Sequence, residues 1–172
     1  MNLNKQAVSN SSPLILLAKI GKLDYLFNLF ENIFIPLEVY KETVVRGIHD
    51  GFQDAVIIDE AIKIKLIIVK ETKKMYKEDE LKQFLHEGEI KAISLAKELS
   101  SNTILLDDEE ARIYARNIGL KVKGTIGIVI DNVLSKKITK KEGKESLKKL
   151  NRIMFLSGEI YEYALERITK IE

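Results

Sequence analysis

Apolar positions along this chain recur at two spacings, one helical and one of short continuous runs, and their alternation predicts repeated strand and helix units. Lys5 to Val8 reads as a short strand, and Ser9-Asn10-Ser11-Ser12-Pro13 reads as its end, an N-cap serine and a proline in the first helical turn. Leu14, Leu17 and Ala18 share a helix face, Gly21 stops it, and Leu23, Leu26, Phe27 and Phe30 continue on a second helix. Ile33-Phe34-Ile35 is a short buried strand, and Pro36 opens a helix with Val39, Glu42 and Val45 on one side. Ala55, Ile58 and Ile62 mark another helix, Leu66 to Val69 another strand, and the polar stretch 70–80 a mobile surface connection.

The same rhythm persists in the second half. A helix from His86 to Leu99 precedes Thr103-Ile104-Leu105-Leu106, a central-strand run that ends abruptly at Asp107-Asp108. Then come a helix over 109–117 that stops at Gly119, a strand over 120–122 and a helix capped by Thr125 that runs to Leu134. Thr139-x-x-Glu142 is a capping box ahead of a basic helix, and Ser157 precedes a last amphipathic helix through Ile160, Ala164, Leu165 and Ile168. No linker divides residues 1–172. The expected architecture is one three-layer α/β/α domain with a mainly parallel central sheet of about five strands.

Composition narrows the chemistry. The 172 residues include 28 Lys and Arg against 26 Asp and Glu, so no global charge selects a partner. Cysteine is absent and only His49 and His86 supply imidazole, which removes disulfides, thiolate nucleophiles and sulfur-bound metals. Any metal is then a hard, carboxylate-bound ion such as Mg²⁺ or Mn²⁺. No apolar run approaches the roughly 20 residues of a membrane span, and the N-terminus carries no signal-like stretch, so a cytoplasmic location is expected.

Ligands of open α/β sheets bind at the carboxyl ends of the strands, which draws attention to Asn10, Glu42, Glu89 and Asp107-Asp108. Glu89 lies on the apolar stripe of its helix, three and four residues before Ala92 and Ile93. Its bland role is to neutralise the helix N-terminus; its chemical role is ligation. Asp107 and Asp108 begin a helix, one serving as a cap and the other reaching the cleft. Clustered carboxylates repel unless a cation neutralises them, and carboxylate-held Mg²⁺ or Mn²⁺ suits phosphodiester hydrolysis.

Five segments taken in order, Ser9-Asn10-Ser11-Ser12-Pro13-Leu14, Pro36-x-x-Val39-x-x-Glu42, Gly88-Glu89-x-x-Ala92-Ile93-x-Leu95-Ala96, Leu105-Leu106-Asp107-Asp108-x-x-Ala111-Arg112 and Gly124-Thr125-x-Gly127, resemble the PIN-domain nucleases. The nearest branch is that of small prokaryotic PIN-like proteins related to the toxins of VapBC-type systems. The resemblance implies a divalent-metal-dependent endoribonuclease, a toxin of a toxin–antitoxin pair, with a homodimer and an antitoxin protein as partners. It implies Glu42, Glu89 and Asp107 or Asp108 as catalytic and metal-holding acids, Asn10 as a further ligand, and Ser11, Ser12 and Thr125 as auxiliary polar contacts. Asn10 departs from the family, which usually has Asp there, so a catalytically impaired domain that binds RNA or a protein partner is the alternative. A neutral carbonyl oxygen binds Mg²⁺ less strongly than a carboxylate.

Two basic features remain. Arg112 and Arg116, four apart, project together as a phosphate clamp, or pair with Glu109 or Glu110. Residues 136–152 carry a local charge of +6, which suits RNA contact or a solvated lysine face, although aromatics that would stack on bases are missing there. A third reading, a receiver-like phosphoryl-transfer domain, needs a lysine at the acids, and Lys123 is its candidate.

Overall fold

A computed structural model describes residues 6–171, so Lys5 lies outside the described residues. Five strands form one all-parallel sheet: β1 (Gln6–Ser9), β2 (Asn32–Pro36), β3 (Ile67–Lys70), β4 (Thr103–Leu105) and β5 (Lys121–Lys123), in the order β3-β2-β1-β4-β5. Parallel pairing follows from the helix between each successive pair of strands, and β1 is buried because it lies at the centre of the sheet. Its side chains alternate, Ala7 into one core and Val8 into the other.

The core on the Ala7 side packs α1 (Ser11–Lys19), α2 (Asp24–Leu29), α5 (Gln53–Lys63), α9 (Thr125–Leu134), α10 (Lys140–Leu150) and α11 (Gly158–Lys170). The other core packs α6 (Glu78–Leu81), α7 (Glu87–Glu98) and α8 (Glu109–Asn117). The chain moves from β1 outward to β3, then crosses back to place β4 on the other side of β1. The switch point therefore falls between β1 and β4, where ligands bind in such sheets.

The helix after β2 departs from its expected periodicity. It runs from 37 to 49 as α3 (Leu37–Tyr40), a π-helical stretch (Lys41–Arg46) and α4 (Gly47–His49). The wider π-turns shift the phase, so Val39, Thr43 and Val44 are buried and Val45 is 52% exposed instead of sharing their face. Thr43 donates its hydroxyl to the Val39 carbonyl at 2.7 Å. Single π-turns inside α-helices concentrate at functional positions, and Glu42 sits in this one.

Other boundaries were shifted by local chemistry. Asn10, not a serine, caps α1, because its side-chain oxygen accepts from the Ser12 amide. Gly124, not Thr125, is the cap residue of α9. The strand expected at 120–122 lies one residue later, at Lys121–Lys123. The polar 70–80 stretch is tied down, since the Lys73 and Tyr76 amides donate to Glu98 Oε2 and Ser94 Oγ at 2.9 Å each. The Thr139 capping box and the Ser157 cap stand as expected. Among the described residues no helix is long and apolar enough to cross a membrane.

Gly47 brings α4 against α5, where a Cβ would lie only 2.6 Å from the Ala55 Cβ. Alanine normally gains stability over glycine inside a helix by roughly 0.5–1 kcal/mol, but here the obstacle is a rigid methyl on a packed helix. Gly47→Ala is therefore expected to lower stability by about 1–3 kcal/mol, read by denaturant titration, because overpacking outweighs helix propensity.

Candidate active site

Asn10 leaves β1 at the switch point. Its amide donates to the Leu105 carbonyl at 3.2 Å, which staples the end of β1 to the end of β4, and its side-chain Oδ1 accepts from Ser12 at 3.0 Å. The next residue, Ser11, is buried and donates its hydroxyl to Glu42 Oε2 at 2.5 Å. Ser12 contributes only its amide to this cluster among the bonds described. The π-turn carries Glu42 across to α7, where its Oε2 lies 3.6 Å from the point at which a side chain on Gly88 would begin. A half-buried ion pair, Glu38 to Lys91 at 3.4 Å, ties α3 to α7 close by.

Glu89 is only 7% exposed. Its Oε2 accepts the His86 amide at 3.0 Å, so the residue does stabilise the start of α7. Burial is the main force pushing its carboxyl above the usual carboxylate range, and the charges of Asp108 and Glu42 push the same way against the His86 amide. Glu42, Glu89 and Asp108, from three separate elements, are thus electrostatic neighbours. None of them makes an ion pair among the described residues. Nor do any three Asp, Glu or His side chains among the described residues meet in a ready-made cation cage.

Asp107 and Asp108 do not divide the two expected tasks between them: Asp108 takes both the cap and the cleft. Asp108 caps α8, its Oδ1 accepting the Ala111 amide at 2.9 Å, while its charge reaches Glu89. Asp107 turns the other way and accepts twice from Thr125, Oδ1 from the amide at 2.7 Å and Oδ2 from the hydroxyl at 2.6 Å. A Cβ at Gly124 would lie 3.0 Å from Asp107 Oδ1, so glycine there permits the close approach. Burial raises the Asp107 carboxyl, and the two Thr125 bonds and the Arg112 charge oppose that rise. The Gly124-Thr125 pair is therefore a latch for Asp107, in place of the simple helix cap expected of Thr125.

The two arginines do not project together. Arg112 turns inward, its Nη1 lying 3.6 Å from the Cβ position of Gly124, and its buried Nε has no hydrogen-bond partner among the described residues. Arg116 is exposed, and neither makes an ion pair with Glu109 or Glu110 among the described residues. Lys123 pairs with Asp131, which removes the lysine required by the receiver-like reading. The lysines of α10 are exposed, but Lys22 sits within electrostatic reach of Glu142. The first turn of α10 therefore lies by the α1–α2 turn, at the opposite end of α1 from Ser11.

One neighbour of Glu42 escaped the sequence reading. A cleft of about 320 Å³ runs beside it between α1, the π-turn and the start of α5. Asp54 in that cleft had a sequence signal, an acid four residues before the core residue Ile58 on the same helix. A family model described as a PIN domain matches residues 6–170 of the chain. No curated protein matches it significantly.

Proposed function

The chain belongs to the PIN-domain family, and from that premise we propose that it is a divalent-metal-dependent endoribonuclease. The observation that carries this reading is Glu89, a buried carboxyl whose ionisation is opposed by Asp108 and Glu42, with no basic side chain in an ion pair with any of the three among the described residues. Glu89 is buried while Glu42 and Asp108 are open to solvent, so a cation entering beside Glu89 would relieve the opposition to its charge, and the donors are all oxygen, which suits Mg²⁺ or Mn²⁺. Glu42, Glu89, Asp108 and the Asn10 carbonyl oxygen would hold the ion. When bound, it supplies an activated water and charge stabilisation at the phosphodiester.

The remaining roles belong to the chain itself. Ser11 orients Glu42, and the His86 amide orients Glu89. Asp107 is a positioning residue, since both of its oxygens are engaged by Thr125 and it fixes α9 against the β4–α8 junction. Arg116, exposed on the helix that Asp108 caps, would supply positive charge for a substrate phosphate, while Arg112 stays turned toward Gly124 and Asp107.

One observation favours the second reading, an impaired domain that binds RNA. Asn10 is neutral, and its oxygen already serves the α1 cap. Cleavage of single-stranded RNA with Mg²⁺ or Mn²⁺ decides between them. The native chain is expected to cut RNA and to lose that activity in EDTA. Asn10→Asp is expected to tighten metal binding by about 10–100-fold, the range typical of a changed coordination environment. An inert native chain with a gain of cleavage in Asn10→Asp would overturn the nuclease reading and establish the second.

A further inference from the structure

The cleft beside Glu42 has properties the nuclease chemistry does not use. Its volume, about 320 Å³, falls at the low end of the ~300–1,000 Å³ range of small-ligand clefts. One wall carries Phe52, whose ring is 53% exposed. Gly51, in the left-handed region at φ +79°, turns the chain there, and the Phe52 amide donates back to the Gly47 carbonyl at 2.8 Å. The backbone thus presents an aromatic ring to the cleft where burial in the core would be the ordinary outcome.

Opposite in chemistry is Asp54, on the first turn of α5. It is only 9% exposed, lines the cleft, and has no hydrogen-bond or ion-pair partner among the described residues. A largely covered carboxylate normally has partners, and here the start of α5 supplies only its dipole. Lys19 lies 5.9 Å from the Phe52 ring centroid, at the limit of a cation–π contact. Arg46 makes only a long 3.7 Å contact with Asp50. Both cations are therefore displaceable arms on the rim.

The lining holds three acids, Glu42, Asp50 and Asp54, against the two cations Lys19 and Arg46. That balance disfavours a bare phosphate and favours a flat, neutral group rich in N–H donors. Among the nucleobases only guanine presents two adjacent donors, N1–H and N2–H, to the two oxygens of one carboxylate. Adenine and cytosine place an acceptor nitrogen beside their amino group, and uracil flanks its single N–H with carbonyls.

We propose that this cleft is a guanine-binding subsite beside the phosphodiester to be cut, with Phe52 stacked on the base and Asp54 accepting from its Watson–Crick edge. Lys19 and Arg46 reach the flanking phosphates. The inference rests on the ribonuclease reading for its place next to the scissile bond, but its base selectivity is measurable without cleavage.

The test uses fluorescein-labelled single-stranded hexanucleotides, oligouridine with one central G, inosine, A or C, titrated by anisotropy in EDTA. The native chain is expected to bind the G oligomer at least about tenfold more tightly than the A, C and all-U oligomers, with inosine, which lacks the N2 amine, in between. Asp54→Asn is expected to erase that preference, and Phe52→Ala to weaken every oligomer by about 5- to 150-fold. Phe52→Leu, which keeps apolar bulk, is expected to retain the fold and still lose affinity. Equal binding of all oligomers by the native chain overturns the proposal, as does an Asp54→Asn loss shared equally by every base. Cleavage with Mg²⁺ or Mn²⁺ indifferent to guanine position overturns the subsite and leaves the nuclease reading intact. Guanine-selective binding without cleavage supports the subsite and overturns the nuclease reading.

Discussion

Glu89→Gln is expected to reduce metal-dependent RNA cleavage by about 10²–10³-fold, the loss typical of removing one preorganised electrostatic contact, without loss of stability. Gln keeps a side-chain oxygen for the His86 amide, so the start of α7 stays capped. What disappears is a negative charge that burial, Asp108 and Glu42 all oppose. The sign of the pH effect follows. The Glu89 carboxyl in the folded protein titrates above its usual 4.5, so in the interval just above 4.5 the folded state binds more protons than the unfolded chain. The destabilising contribution of Glu89 is therefore full at pH above the raised folded value and is relieved as pH falls through it. In EDTA the native protein should melt lower than Glu89→Gln at pH 7.5, and the gap should close toward pH 4.5. A variant less stable than the native chain at both pH values, or one that still cleaves at the native rate, would remove Glu89 from the site.

Asp107 and Asp108 should separate into a structural and a chemical phenotype. Asp107→Ala removes both acceptors of Thr125, a residue with no exposed surface, and leaves Arg112, whose Nε already lacks a partner among the described residues, beside a vacated charge. A loss of about 1–3 kcal/mol is expected, as for buried hydrogen-bonding groups left without their acceptor. For a chain of this size each kcal/mol corresponds to roughly 2–4 °C of melting temperature. Asp108→Ser keeps a side-chain oxygen for the Ala111 amide and removes only the charge. Its melting temperature should be unchanged, while Mn²⁺ affinity by calorimetry and RNA cleavage fall. Below its own midpoint, Asp107→Ala should bind Mn²⁺ as the native protein does. The reverse pattern would make Asp107 the ligand and Asp108 only a cap.

Much of this site was legible in the sequence because parallel sheets leave a simple signature. An apolar run that stops at Asn10, and another that stops at Asp107-Asp108, mark strands whose carboxyl ends face a common crevice. Glu89 was legible because it interrupts a helical apolar stripe. The direction taken by Glu42 was not, since a π-turn follows from tertiary packing at Val39, Val44 and Gly47 and leaves no period of its own in so short a helix. Phe52 carried no sequence signal, because exposure depends on what packs over a residue.

Alternation of short apolar runs with amphipathic segments determined by itself the β and α order, the parallel sheet and the set of polar residues at its edge. Those features are encoded locally, because burying a periodic face is the dominant favourable term of folding. Only the tertiary structure decided which oxygen serves which partner: Thr125 on Asp107 from 18 residues away, Ser11 on Glu42 from 31 residues away, and Asp108 left to meet Glu89. Hydrogen bonds form over tenths of an ångström, and no spacing along the chain carries that precision; it arises when five strands and the helices between them settle into register.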